Sequence, residues 1–208
     1  MLKETIALLN NCDTKQEYKG AFSELTGEDL TDGADKIGFF DSPASTQHHG
    51  VFPGGLVKHS VQVLTNCAGL IEAFDNLPRN YIPVDQKSLD MWEYDLVIAC
   101  LYHDLCKAGM YEQTTRNVQV NGVWQKVPYF KVIDDNTGFG HGAESLYRLE
   151  RAGHKFNHKA WAMAVYWHMG NYGLDYTQSI QYRNACKRYP EVLMLHTADM
   201  MASAIQGL

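Results

Sequence analysis

Histidines and aspartates recur along this chain at positions where they could hold a metal ion. In chain order they are His59, the dipeptide His103-Asp104, His141, His168 and Asp199. Imidazole nitrogen and carboxylate oxygen together suit a divalent transition metal. The dipeptide alone is weak evidence, because a chain with nine histidines can contain one by chance. The whole spaced set predicts a metal site, provided that the fold brings these distant residues together.

Apolar residues at helical spacing indicate that helices carry these residues. One run extends from Leu56 to Phe74 and has His59 in its first turns. Another extends from about Leu89 to Lys107 and has His103 and Asp104 in its last turns. Further helices are predicted at about 142–153, at 159–169, and at 190–204 with Pro190 as a first helical residue.

One segment breaks the helical pattern. In residues 117–133, β-branched and aromatic residues alternate around Asn121-Gly122, a dipeptide typical of tight hairpin turns. The predicted fold is therefore all-α with a small inserted β-hairpin at about 117–133.

Two short amphipathic stretches precede the first long helix. The second is expected to end at the turn-forming cluster TGEDLTDGAD, residues 26–35. We expect residues 1–42 to form an N-terminal helical appendage and residues 43–208 to form the main domain, since 208 residues suit one domain with at most a small addition.

Composition excludes several classes of function. The formal net charge of −6 argues against a duplex nucleic acid partner, which needs clustered Lys and Arg in excess. No apolar run is long enough to span a membrane, and the N-terminus lacks the features of a signal peptide, so a cytoplasmic location is expected. The five cysteines are an odd number without CxxC spacing and are interpreted as reduced core thiols, with Cys106 the one weak candidate for catalysis.

A family resemblance makes the metal prediction more specific. The segment PASTQHHGVFPGGLVKHS, followed by HDLCK, GHGAES, WHMG and LHTADMMAS, resembles the HD-domain metal-dependent phosphohydrolases over about residues 43–204. It is most similar to short HD hydrolases of phages and prophages and to the HD module of bacterial 3′–5′ exoribonucleases. Those exoribonucleases also carry an oligonucleotide-binding barrel, for which the residues ahead of the motif are too few. The resemblance implies an HD-type helical bundle and phosphoester hydrolysis by a metal-activated water.

The resemblance also implies two groups of metal ligands. The first ion would be held by His59, His103, Asp104 and Asp199, and the second by Asp104, His141 and His168. Some branches of the family have a His pair where this chain has His168-Met169. One or two ions per chain therefore remain open, and Mn, Fe, Co, Ni, Zn and Mg are not distinguished.

Substrate contacts are predicted around this centre. The resemblance implies that Asp104 is catalytic as the bridging ligand, and that Lys107 holds a non-bridging phosphate oxygen. Lys107 also follows His103 by four residues, which would place both on one helical face. Further substrate-binding candidates are His48 and His49 in the loop, Trp124 in the hairpin and Arg148 in a locally basic stretch.

The expected activity is a divalent-metal phosphohydrolase for a nucleotide or short oligonucleotide. Two alternatives remain: a non-hydrolytic sensor that binds metal and nucleotide, suggested by Met169, and a di-iron oxygenase-type HD protein. Tyr166, Trp167 and Tyr172 flank His168 and could be core or base-stacking residues. A homodimer also remains open, because the N-terminal amphipathic stretches could pair but no heptad pattern persists.

Overall fold

The computed structural model describes residues 2–74, 83, 85–133 and 138–208. Within them the protein is mostly helical, with one two-stranded antiparallel hairpin, as predicted. The elements are α1 (Leu2–Asn10), α2 (Lys15–Thr26), α3 (Glu28–Lys36), α4 (Gly55–Ala73), α5 (Gln86–Tyr102), a 3-10 turn (Leu105–Lys107), β1 (Tyr111–Val120), β2 (Val123–Val132), α6 (His141–Arg151), α7 (Lys159–Trp167), α8 (Tyr176–Arg188), α9 (Pro190–Met200) and a π-helical turn (Met201–Ile205). None of the described helices is both long and apolar enough to cross a membrane.

The N-terminal region forms three helices. The prediction of a turn cluster at residues 26–35 is wrong, because α3 begins directly after Gly27. This helix buries Leu30 and Ala34 on one face, and that burial outweighs the turn preference of its Gly and Asp residues. Residues of α1 to α3 belong to the same hydrophobic core as α4 and α5.

The shared core lies under α4, α5, α7 and α9. Its aromatic centre is a group of edge-on rings in which Phe22 of α2 meets Phe40 and Tyr102 at centroid distances of 5.2 and 5.6 Å. Edge-to-face pairs of this kind add to the stabilisation from burial. The core therefore fixes the C-terminal end of α5, where Tyr102 is followed by the His-Asp dipeptide.

The helix α5 ends about one turn earlier than predicted. It stops at Tyr102 instead of Lys107, and residues 105–107 form a separate 3-10 turn. The chain then turns through Gly109, which has φ +74°, and a Cβ there would lie 2.8 Å from the carbonyl oxygen of Ile37. Asp104, with φ −105° and ψ 23°, lies outside the helix, at the start of the 3-10 turn.

The hairpin is confirmed and is longer than predicted. It begins at Tyr111 rather than near residue 117, and Tyr111 pairs with Val132 at its base. Asn121 and Gly122 both have positive φ, 51° and 81°, as a two-residue I′ turn requires.

The C-terminal helices include one that the sequence analysis did not predict. Helix α8 is mostly polar and fully buries only Ala185 among its described residues, with Tyr182 and Cys186 partly buried beside it. A capping box between Asp175 and Gln178 begins it. Helix α9 begins at Pro190 as predicted but changes to a π-helical turn after Met200.

Candidate metal centre

Helix α4 supplies the first histidine of the centre. Gly55 begins this helix so close to the preceding loop that a Cβ would collide with the carbonyl oxygen of Gly50. His59 follows about one turn later and is fully buried. Its Nδ1 lies 2.6 Å from the main-chain oxygen of Leu208, which leaves Nε2 to face the interior of the site.

The end of α5 supplies His103 and Asp104. His103 is the C-terminal cap, and its Nδ1 lies 2.9 Å from the carbonyl oxygen of Cys100 one turn back. Asp104 is also buried, and its Oδ2 accepts a 2.6 Å hydrogen bond from the Lys107 ammonium. The sharp end of α5 therefore places an imidazole, a carboxylate and an ammonium within one short turn.

Helices α7 and α9 complete the group. His168 caps the C-terminus of α7, and its Nδ1 lies 2.7 Å from the carbonyl oxygen of Val165. Asp199 lies in the last turn of α9, and His196 on the same helix places its Nδ1 2.7 Å from the carbonyl oxygen of His168. This contact joins the C-terminal ends of α7 and α9, which carry His168 and Asp199.

The five side chains converge on a small volume. The Nε2 atom of His59 lies 3.2 Å from Oδ1 of Asp199, and that of His103 lies 3.4 Å from Oδ2 of Asp104. The Nε2 atom of His168 lies 3.3 Å from Oδ1 of Asp104. Two triads have ligand atoms that all lie within 4.8 Å of one another: His59 with His103 and Asp104, and His103 with His168 and Asp199.

The imidazole nitrogens that face this volume lack partners. The Nε2 atoms of His59, His103 and His168 are buried and have no hydrogen-bond partner among the described residues. A carbonyl oxygen only accepts, so each Nδ1 carries a proton, and a neutral ring then presents the Nε2 lone pair. Lone pairs that face carboxylate oxygens at 3.2–3.4 Å repel unless a cation or a proton lies between them. A divalent cation would satisfy all three rings and both carboxylates together.

Electrostatics keep the carboxylates ionised. Burial opposes ionisation of Asp104, but Lys107 and His103 outweigh it and hold the pKa of Asp104 well below its usual range. Burial also opposes ionisation of Asp199, but the adjacent imidazoles of His59 and His103 outweigh it and lower the pKa of Asp199 to about 2. Both oxygen ligands are therefore anionic at neutral pH.

His141 lies on another side of Asp104, at the first residue of α6. Its Nδ1 lies 3.3 Å from the Cys106 sulfur, and the two side chains form a third potential ligand triad with Asp104. Gly142 fixes this helix start, because a Cβ there would overlap the carbonyl oxygens of Val165 and Tyr166. Burial raises the pKa of the Cys106 thiol to about 12, so the thiol is neutral unless a cation binds it.

The predicted substrate-binding residues have different surroundings. Lys107 is adjacent to the centre, but in the 3-10 turn, so its predicted helical alignment with His103 is wrong. His49 packs its ring 5.0 Å from that of His59, and burial together with His59 lowers the pKa of His49 to about 4. His48 is exposed in the same loop.

Arg148 and Trp124, the other two substrate-binding candidates, lie in α6 and in the hairpin. Arg148 donates to Glu144 and to the carbonyl oxygens of Leu105 and Ala108, so it supports the 3-10 turn. Trp124 lies beside the hairpin turn and is 69% exposed. It is eight residues from the hairpin base at Val132, roughly 27 Å at the usual rise of a strand.

The sequence analysis missed three supporting features. Ser145 accepts from the Cys106 main-chain N–H, Arg148 holds the turn, and the main-chain oxygen of Leu208 orients His59. Each is a contact over 39 or more residues of sequence, which no local spacing reveals.

No family model, curated protein or solved structure matches this chain. The residues of the site and their geometry are therefore the basis for assigning a function.

Proposed function

We propose that this protein is a divalent-metal-dependent phosphohydrolase that cleaves a phosphoester of a nucleotide or short oligonucleotide. The observation that carries this proposal is the set of three buried, unpartnered Nε2 atoms around two ionised carboxylates. A histidine that binds a metal through one ring nitrogen typically donates a hydrogen bond from the other. The Nδ1 atoms of all three rings lie against a main-chain oxygen in this way.

The donor set fits a transition metal. His59, His103, His168, Asp104 and Asp199 would hold it, and a divalent ion bound there supplies Lewis acidity toward phosphoryl oxygens and activates a water molecule. Nitrogen and oxygen donors in this proportion suit Mn, Fe, Co, Ni or Zn better than Mg, which prefers an all-oxygen shell.

The chain's own residues would bind and orient the phosphoryl group. Lys107 is largely buried, with 14% of its side chain exposed, and the Asp104 carboxylate fixes its ammonium at 2.6 Å. In this position it offsets charge on a non-bridging phosphate oxygen beside the metal ligands. His49 presents a buried Nε2 that has no partner within the described part of the chain, so it can bind a polar group of the substrate.

An aromatic cavity beside the centre supports a nucleotide substrate. Its volume is about 310 Å³, and His141 forms part of its wall. Phe139 and Tyr172 line it with 71% and 83% of their surfaces exposed, and Tyr166 is also exposed. Trp167, by contrast, is mostly buried core. Exposed rings in a cavity beside a phosphate site are suited to stacking a nucleobase.

The first test is metal content and turnover. Protein purified without chelator should contain at least one transition-metal ion per chain and release phosphate from nucleotides, and EDTA should abolish that release. His168→Gln should weaken metal affinity by more than about tenfold. Loss of a residue that only supports a ligand typically costs about 10–100-fold, and His168 is itself a proposed ligand. His154→Gln is the control, since that ring packs against Tyr94 and Phe156.

The outcomes separate the candidate functions. Protein without metal, and without an EDTA effect, would overturn the proposal. Bound metal and nucleotide without hydrolysis of a broad panel would instead identify a sensor. Dioxygen consumption by the iron-loaded protein would identify an oxygenase.

A second test concerns the nucleobase. Tyr172→Ala should raise KM for a nucleoside monophosphate by about tenfold, the loss expected for one stacking contact, and should leave KM for ribose 5-phosphate unchanged. Tyr176→Ala is the matched control, because Tyr176 is 80% exposed and lies outside the cavity wall. An equal change for both substrates would contradict base stacking at Tyr172.

A further inference from the structure

The thiol of Cys106 lies between Asp104 of the proposed metal centre and the first residue of α6, His141. The Cys106 side chain is fully buried, and its sulfur lies 3.3 Å from Nδ1 of His141. With a carboxylate oxygen of Asp104, these atoms form a group in which all lie within 4.8 Å of one another. Oδ1 of Asp104 is itself buried and has no hydrogen-bond partner in the described residues.

The spacing of sulfur and nitrogen suits two ligands of one ion. Around a tetrahedral cation at about 2.3 Å from sulfur and about 2.0 Å from nitrogen, the two ligand atoms lie about 3.5 Å apart. The observed 3.3 Å therefore requires little movement when a cation binds.

Helix α6 holds both donors in register. His141 is its first residue, and Ser145, one turn later, accepts a 3.1 Å hydrogen bond from the Cys106 main-chain N–H. Arg148, on the same helix, holds the carbonyl oxygens of Leu105 and Ala108 on either side of Cys106. The thiol and the imidazole are thus positioned by one helix acting on one turn.

We propose that Cys106 is a thiolate ligand of a second cation, which it holds together with His141 and Asp104. This inference rests on the proposed function, since Asp104 would then bridge the two ions. Binding breaks the S–H bond, forms a metal–sulfur bond and releases one proton to solvent. A thiolate favours Zn, Co or Fe over Mg or Mn, so the second position would select the softer metals.

Cobalt(II) reports this ligand directly. The metal-free wild-type chain titrated with Co²⁺ should bind two ions and develop a near-ultraviolet thiolate-to-cobalt charge-transfer band. Cys106→Ser should lose that band and one equivalent of cobalt, while the visible bands of the first ion remain. Cys186→Ser is the matched control and should retain both ions, because Cys186 packs in a separate cluster around Trp167 and Val192.

A second variant keeps the test independent of folding effects at the thiol. His141→Gln leaves Cys106 intact and should also lose the second equivalent and weaken the charge-transfer band at least about tenfold at equal cobalt concentration. Cobalt that binds without a charge-transfer band, or a band that persists in Cys106→Ser, would overturn the thiolate ligand and leave the first site standing. A wild-type chain that binds no cobalt would overturn the proposed metal centre as well.

Discussion

Each histidine of the centre uses its two ring nitrogens for different purposes. His59, His103 and His168 place Nδ1 against a main-chain oxygen and aim Nε2 at the carboxylates. The main-chain contact fixes the tautomer and the ring plane before any cation binds. Affinity should therefore depend on residues that never touch the ion.

Gly170 offers a test of that dependence. It has φ +67°, and a Cβ would lie 2.5 Å from the ring of His196, whose Nδ1 contacts the carbonyl oxygen of His168. Gly170→Ala should displace that ring, destabilise the fold by about 1–3 kcal/mol and weaken metal affinity about 10–100-fold. Chemical denaturation and metal titration measure the two effects.

Gly173→Ala separates strain from displacement. Gly173 has nearly the same φ, +71°, but nothing lies within 4 Å of an added Cβ. This control should lose about 1–2 kcal/mol of stability from backbone strain and keep its metal affinity. Equal loss of metal affinity in both variants would refute a role for His196 in positioning His168.

At the scale of elements, α6 governs the turn that carries Asp104. Arg148 donates to the carbonyl oxygens of Leu105 and Ala108 at 3.2 and 2.9 Å. Arg148→Met keeps much of the apolar stem and removes the charged donor, so the free energy of unfolding should fall by about 2 kcal/mol. Metal affinity should fall with it, because the turn loses its support.

Arg151→Met is the control on the same helix. Arg151 is exposed, and its replacement should change stability by less than about 0.5 kcal/mol. An Arg148→Met protein with wild-type stability and metal affinity would show that the 3-10 turn holds its shape without α6.

Local sequence predicted the long elements better than their ends. The apolar runs of α4 and α5 and the Asn121-Gly122 turn identified the elements that carry the site. The end of α5 was missed by about one turn, because the 3-10 turn that replaces its expected last residues is held by Ser145 and Arg148 of α6, which are distant in sequence. Helix α8 was missed because most of its residues are polar and it fully buries only Ala185 among those described.

At the scale of the whole molecule, the site joins residues far apart in the chain. Order and residue type were enough to name the side chains that meet, from His59 in α4 to Asp199 in α9. The sequence did not predict the surroundings of the basic and aromatic candidates, since Arg148 donates to the turn and Trp124 lies beside the hairpin turn. The surroundings of such a side chain depend on tertiary packing, which the periodicity of apolar residues does not encode.

The same packing buries an acid between α5 and α9, away from the centre. Glu191 is 2% exposed, and its Oε1 accepts from the Trp92 indole N–H at 3.2 Å. Its Oε2 has no hydrogen-bond partner among the described residues. Burial raises the pKa of Glu191 above its ordinary value of 4.5, against the opposing hydrogen bonds.

The folded protein therefore binds the Glu191 proton more tightly than the unfolded chain does. The contribution of Glu191 to stability is present below pH 4.5 and is lost as pH rises through the folded-state pKa. Glu191→Gln keeps an oxygen for Trp92 and cannot ionise, so at pH 7 it should be more stable than wild type by on the order of 1 kcal/mol. Urea denaturation from pH 4 to 8 should show this gap opening with pH, while the exposed Glu150→Gln variant tracks wild type. A gap that closes as pH rises would mean that the folded protein stabilises the Glu191 carboxylate, and that the space between α5 and α9 is more polar than its burial indicates.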